Sequence, residues 1–322
     1  MTDSTDGSDH AGLSPDTVFG VLGDETRLRI LRTLGEATGS LSFSELRERL
    51  ARPDSGQFNY HLGKLVGHFV TETDAGYDLR PAGQRIVEAI LSGAVTDDPT
   101  LGPMRIDRPC PYCGSPTEVD FHQDRLQHYC PACPGTYGVT TLGGGSIDPA
   151  ERGFLGVLLL PPAGVADRTP EAVLDTAQIW TFFNLAKTAN GLCPRCSAPL
   201  DTTVGVCTDH DATDGICEAC DHRYAVKIGH RCPNCIFDIG GYFADWLLPS
   251  FEFVAFLVAH GVNPLAPTPE DMRIWMDYEE EILSVEPLEA RFTFTVDDDS
   301  LTLTVDDDLC VIDATRTTTS SV

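Results

Sequence analysis

The spacing of the cysteines constrains this chain more than any other feature. Twelve cysteines lie between residues 110 and 310 of a 322-residue chain, and none precedes them. Ten form C-x2-C pairs, an eleventh, Cys207, opens a C-x2-H with His210, and Cys310 stands alone. Two such knuckles together supply four ligands, the tetrahedral set that zinc takes in structural sites. Residues 1–13 are polar and acidic, with no basic start and no apolar run, so neither a secretion signal nor an oxidising compartment is expected. Metal is therefore expected in preference to disulfides.

Cys110, Cys113, Cys130 and Cys133 read as one zinc ribbon over 110–133, with Thr117–Tyr129 as its hairpin; His122 and His128 are not needed as ligands. The block 193–235 repeats internally: Cys193-x2-Cys196 and Cys207-x2-His210 recur as Cys217-x2-Cys220 and Cys232-x2-Cys235, at offsets of 24, 24, 25 and 25 residues. Its eight ligands imply two further zinc ions, three Zn2+ in all. Spacing leaves their pairing open. Sequential pairing closes the shorter loops and is the preferred expectation; pairing the first knuckle with the third would build one longer ribbon. Four protein ligands at each metal leave no position for a reactive water, so structural rather than catalytic zinc is expected. Gly143-Gly144-Gly145 lacks the strand, helix and lysine of a phosphate-binding loop. No enzymatic activity is expected.

The cysteine-free N-terminal part carries a different pattern. After an expected disordered tail over 1–13, Ser14-Pro15 opens a helix and Asp24 caps a second, with Leu28, Ile30, Leu31 and Leu34 at helical spacing. Ser42-Phe43-Ser44-Glu45 is a capping box, and Asp54 or Ser55 caps a fourth helix running to about Val66. Phe69–Thr73 and Tyr77–Arg80 flank a turn at Asp74-Ala75-Gly76, and a last helix spans Pro81–Leu91. Helices followed by a small hairpin over 14–95 make a winged helix-turn-helix. The fold class expected is α+β: this domain, then a zinc-ribbon-containing α/β domain. Net charge is −27, an acidity like that of proteins adapted to concentrated salt. Residues 14–95 escape it, with nine Lys/Arg against eleven Asp/Glu.

Leu22-Gly23-Asp24-Glu25-Thr26-Arg27-Leu28-Arg29-Ile30-Leu31, then Leu41–Leu46 and Gly56–Leu65, resemble the winged-helix repressors of the ArsR type. The resemblance covers about 14–92 and implies binding of double-stranded DNA by a homodimer, with the helix after Asp54 as recognition helix. The whole architecture resembles haloarchaeal ArsR-like regulators with a cysteine-rich C-terminal region. The N-terminal residues of a recognition helix meet base edges in the major groove. Here they are Ser55, Gln57, Asn59, Tyr60 and His61; Gln and Asn suit adenine, while Lys64, Arg52 and Arg80 suit phosphate or minor groove. Phe58, Leu62 and Leu65 are assigned to the core. Metal-sensing members place cysteines in the winged helix; this one has none, so that role is not carried over. A winged helix with a zinc ribbon also resembles transcription factor E, so the alternative is an adaptor that contacts a protein of the transcription machinery.

Residues 96–109 read as a linker and 110–322 as the C-terminal domain, with a buried strand at Phe154–Leu160, helices from Pro170 to Gly191 and over Ser250–His260, a short helix opened by Thr268-Pro269, and an antiparallel tail. Trp180, Phe182 and Phe183 are expected in the core, as is Cys310 on a strand. The turns Asp297-Asp298-Asp299 and Asp306-Asp307-Asp308 are expected to be solvated. No stretch reaches the ~18 apolar residues of a membrane span, and a cytoplasmic location is expected.

Overall fold

The computed structural model describes residues 14–51, 54–137, 153–213, 215–268 and 271–318; the expected tail 1–13 lies outside them. The chain divides into two compact units between Asp97 and Asp98. Among the described residues, no helix is long and apolar enough to cross a membrane.

The first unit is built from α1 (Pro15–Leu22), α2 (Glu25–Gly35), α3 (Phe43–Arg49), α4 (Ser55–Leu65), β1 (Val70–Thr73), β2 (Gly76–Leu79) and α5 (Pro81–Leu91). Each of the first four helices starts where a side-chain oxygen takes up an orphan amide. Ser14 accepts from Thr17 N, Asp24 from Arg27 N, and Asp54 from the amides of Gly56 and Gln57 at 2.9 and 3.0 Å. Ser42 and Glu45 form the reciprocal capping box. Ile30, Leu31, Leu46, Phe58, Leu62 and Leu65 are buried in one core, each contributing about 1.5–3 kcal/mol relative to exposure. β1 and β2 pair antiparallel from Val70↔Leu79 to Thr73↔Gly76, and Leu41 bridges to Tyr77 as a third, minimal strand. Gly76 has φ +126°, and a Cβ there would stand 2.5 Å from the Leu41 carbonyl oxygen, so only glycine allows this approach.

The second unit is mixed α+β with three antiparallel sheets. β3 (Leu101–Pro109), β4 (Pro116–His122), β5 (Arg125–Cys130) and β6 (Gly153–Leu159) form a meander. The 20-residue α6 (Pro170–Ala189) packs Val173, Leu174 and Ala177 onto Ile106, Val119, Phe121 and Leu126. β7 (Asp201–Val206), β8 (Val226–Arg231) and β9 (Asp238–Tyr242) form the second sheet. After α7 (Phe251–Ala259) and α8 (Asp271–Met276), β10 (Tyr278–Val285), β11 (Leu288–Val296), β12 (Asp299–Val305) and β13 (Val311–Thr318) complete a four-stranded meander. Its inward face and the helices share an aromatic core in which Phe243 stacks on Phe292 at 3.8 Å and Trp275 donates to the Ala244 carbonyl at 2.8 Å.

Several expectations need correction. The segment 96–109 is not all linker, because β3 lies in it. Its prolines and charges are those tolerated on an edge strand, and Ile106 alone is fully inward. Of the three aromatics on α6, only Phe182 is buried; Trp180 and Phe183 are half exposed. Cys310 is exposed and precedes β13, its amide donating to Asp306 in a turn. Asp299 is buried, because the turn ends at Asp298 and Asp299 opens β12. There its carboxylate accepts from Arg316, His260 and Thr318. Burial alone would not hold it ionised. Arg316 first, then His260 and Thr318, bring it down to about 2.

Candidate functional site

Folding brings the twelve expected ligands into three groups of four, each with its ligand atoms within 4.8 Å of one another. In the first, Cys110 and Cys113 lie in the turn between β3 and β4, while Cys130 ends β5 and Cys133 follows it. The Cys110–Cys133 and Cys113–Cys130 sulfurs are 3.6 and 3.5 Å apart. Tetrahedral zinc with bonds of about 2.3 Å requires sulfur–sulfur edges of about 3.8 Å, so the donor set fits the ion. Both knuckle turns are closed by hydrogen bonds from backbone amides, Gly114 N to the Cys110 carbonyl oxygen on one side and Ala132 N to the Cys130 sulfur on the other. Burial pushes the Cys113 thiol up, but hydrogen bonds from the Ser115 backbone and hydroxyl outweigh it and bring it down to about 7, toward the thiolate a metal needs.

The second block pairs its knuckles in a nested order: Cys193, Cys196, Cys232 and Cys235 form one site, and Cys207, His210, Cys217 and Cys220 the other. This corrects the sequential pairing, and the first-with-third alternative is not formed either. The β7–β8 ladder is the reason. Its register runs from Asp201↔Arg231 to Val206↔Val226, so the outer knuckles meet at one end of the hairpin and the inner pair at the other. Closing the 36 residues from Cys196 to Cys232 rather than the 11 from Cys196 to Cys207 costs only about (3/2)RT ln(36/11), roughly 1 kcal/mol. Six ladder pairs outweigh that. The outer sulfurs again stand 3.6 and 3.5 Å apart. Hydrogen bonds from the Asn234 side chain, then the Ala198 backbone, bring the Cys196 thiol down to about 6.

The inner site is the mixed one. His210 Nδ1 lies 3.5 Å from the Cys220 sulfur, while its Nε2 is 3.1 Å from the Arg223 carbonyl oxygen. A hydrogen on Nε2 donated to that carbonyl leaves the Nδ1 lone pair for the metal, the usual support for a histidine ligand. Arg223 does more. Its guanidinium stacks over Tyr112 at 4.0 Å and donates from two nitrogens to the Gly135 carbonyl, two residues beyond Cys133. One residue thus braces the first site against the inner one. Nothing in its spacing marks it out; an arginine three residues after a knuckle in so acidic a chain is the one available signal.

In the first unit, α4 presents Ser55, Gln57, Asn59, Tyr60 and Lys64 to solvent, with Phe58, Leu62 and Leu65 inward as expected. The Lys64 ammonium lies 5.5 Å from the centre of the Tyr60 ring. Arg80 is exposed at the wing base, where it precedes α5. Arg52 lies outside the described residues. His61 departs from expectation: it is on the buried side, 8% exposed, with Nδ1 3.3 Å from Asp24 Oδ1. That is a close approach without hydrogen-bond alignment. One turn of helix separates exposed Gln57 from buried His61, and the 3.6-residue period carries position 61 round toward the core. His61 is thereby removed from the groups able to reach a base.

A family model described as a domain of unknown function, DUF7351, matches residues 107–311. The chain belongs to the DUF7351 family. All twelve ligands fall inside the DUF7351 match. A second model, also a domain of unknown function, DUF7347, matches residues 15–90 and takes in the helices and the wing hairpin. Comparison with curated proteins and with solved structures returned no match. The DUF7351 region is therefore a unit with three four-ligand metal groups, consistent with three structural zinc sites, joined to a winged-helix-like unit.

Proposed function

We propose that the chain is a DNA-binding transcriptional regulator. In this reading the winged helix-turn-helix contacts a duplex site, and the zinc-bearing unit is a structural, partner-binding or effector region without enzymatic activity. The observation that carries the reading is the outer face of α4, where Ser55, Gln57, Asn59, Tyr60 and Lys64 are exposed together at the end of a helix-turn-helix with a wing. The segment around it is spared the acidity that would repel phosphate elsewhere. Half-exposed to exposed apolar groups on α1 and α5, Phe19 and Leu91, support association with a second copy. The second reading is an adaptor to the transcription machinery. It is favoured by the exposed Ile179, Trp180 and Phe183 of α6, which suit a protein partner. Footprinting on genomic fragments at high potassium separates the two. Discrete protected sites are expected for the regulator; uniform weak protection would sink that reading and leave the adaptor.

A further inference from the structure

The second unit contains a cavity of about 690 Å3, inside the size range of small-molecule sites. One wall is a face of the β7–β9 sheet. The other face of that sheet buries Val226 in the aromatic core. Among the lining residues, Thr203, Gly229 and Gly240 lie side by side across the three strands on one face, with Gly205 two residues further along the same face. None of these glycines has a positive φ, so no turn explains them. A Cβ on Gly205 would meet nothing within 4 Å. Glycine in a strand interior weakens the strand and marks a place where something comes close to the backbone.

The facing walls supply aromatic surface and an unused polar edge. Tyr137 and Tyr242 stack at 4.8 Å, and Phe154, Phe182 and Trp275 extend the apolar lining. Gln178 of α6 also lines the cavity. It is 7% exposed. The Tyr278 hydroxyl, at the aromatic end, is buried and has no hydrogen-bond partner among the described residues. Buried hydroxyls are ordinarily satisfied, so an unsatisfied one beside a cavity points to a ligand that satisfies it. Arg125 and Lys227 line the cavity together with Asp238 and Asp245, while Arg108 is held by Asp175 at 2.7 Å.

We infer that this cavity is a binding site for a flat aromatic small molecule that lies on the Gly205–Gly229–Gly240 floor with a donor and an acceptor paired to the Gln178 amide. Every lining residue lies beyond Asp98, so the inference stands apart from the DNA-binding reading. The test uses the full-length, zinc-loaded protein and anilinonaphthalene sulfonate, an anionic flat probe whose N–H sits beside an acceptor sulfonate. Fluorescence titration is expected to show one saturable site per chain. Gly205→Phe, which fills the space over the floor without a backbone clash, is expected to weaken the probe roughly tenfold or more. Gln178→Leu, which keeps the cavity, is expected to weaken it roughly fivefold. Trp180→Ser, on the exposed side of α6, is expected to leave it unchanged. Zinc content and far-ultraviolet dichroism check that each variant is folded. Absence of saturable binding in the wild type overturns the inference. So does wild-type binding in both folded cavity variants, or loss of binding in Trp180→Ser, which would put the probe on the outer face of α6.

Discussion

Two double variants test the nested metal arrangement. Cys196 and Cys232 belong to one site, with sulfurs 3.5 Å apart, whereas Cys196 and Cys207 belong to different ones. A structural zinc ion contributes an apparent ~10–16 kcal/mol at pH 7, so one ligand of four represents roughly 3 kcal/mol, more than 100-fold in zinc affinity. A chelator buffered between the intact and crippled affinities then strips only the crippled sites. Cys196→Ser with Cys232→Ser is expected to retain two zinc ions per chain by elemental analysis, because both changes fall on one centre. Cys196→Ser with Cys207→Ser is expected to retain one. Sequential pairing reverses the two counts. Finding two zinc ions in the second variant and one in the first would refute the hairpin argument. Three ions in the unmodified chain is the reference value, and fewer would remove the basis of the comparison.

Two further outcomes are expected. Replacing both Gln57 and Asn59 with alanine should reduce preference for the bound site by about 1–3 kcal/mol per lost base contact, while Lys64→Ala weakens all duplexes alike; competition binding against random DNA reads both, and unchanged preference in the double variant would show that another surface reads sequence. Glu280 supplies a pH-dependent term: burial pushes its carboxyl up to about 7, although it accepts from the Ala225 and Val226 amides. A carboxyl raised on folding adds stability below about pH 4.5 that is lost as pH rises through about 7, so Glu280→Gln should stabilise the protein more at pH 8 than at pH 5.5, by up to ~2 kcal/mol. Equal melting shifts at the two pH values would show that Glu280 is not held in its neutral form.

The first unit was legible because each helix start carries its own local signal, and Ser14, Asp24, Ser42 and Asp54 all cap as their side chains dictate. The twelve ligands were legible for a similar reason, since two-residue spacing is a local constraint. Their pairing was not. It depends on which strands form a ladder, and a loop-entropy argument worth about 1 kcal/mol cannot decide it. Polar edge strands were also hidden. β13 shows no inward apolar alternation, and β10 opens with three consecutive glutamates of which Glu280 turns inward. His61 went astray because a recognition helix and a core histidine look alike in one dimension; its neighbour Asp24 is 37 residues away in sequence. Arg223 and the glycine floor carry no spacing signature and emerge only when three strands and two knuckles are brought together.

The nested hairpin also imposes an order on the chain as it leaves the ribosome. The first centre has all its ligands once Cys133 has been made, and the inner hairpin centre once Cys220 has. The outer centre must wait fifteen residues longer, for Cys235, even though half of its thiolates, Cys193 and Cys196, are the earliest of the block to emerge. Before Cys217 emerges, those two cysteines already stand beside Cys207 and His210, the moment at which a wrongly paired knuckle would form. The β7–β8 ladder, which cannot close until Arg231 has emerged, is what sets the inner ligands together and leaves the first knuckle for its distant partner. The final metal arrangement of this unit therefore waits on strand pairing.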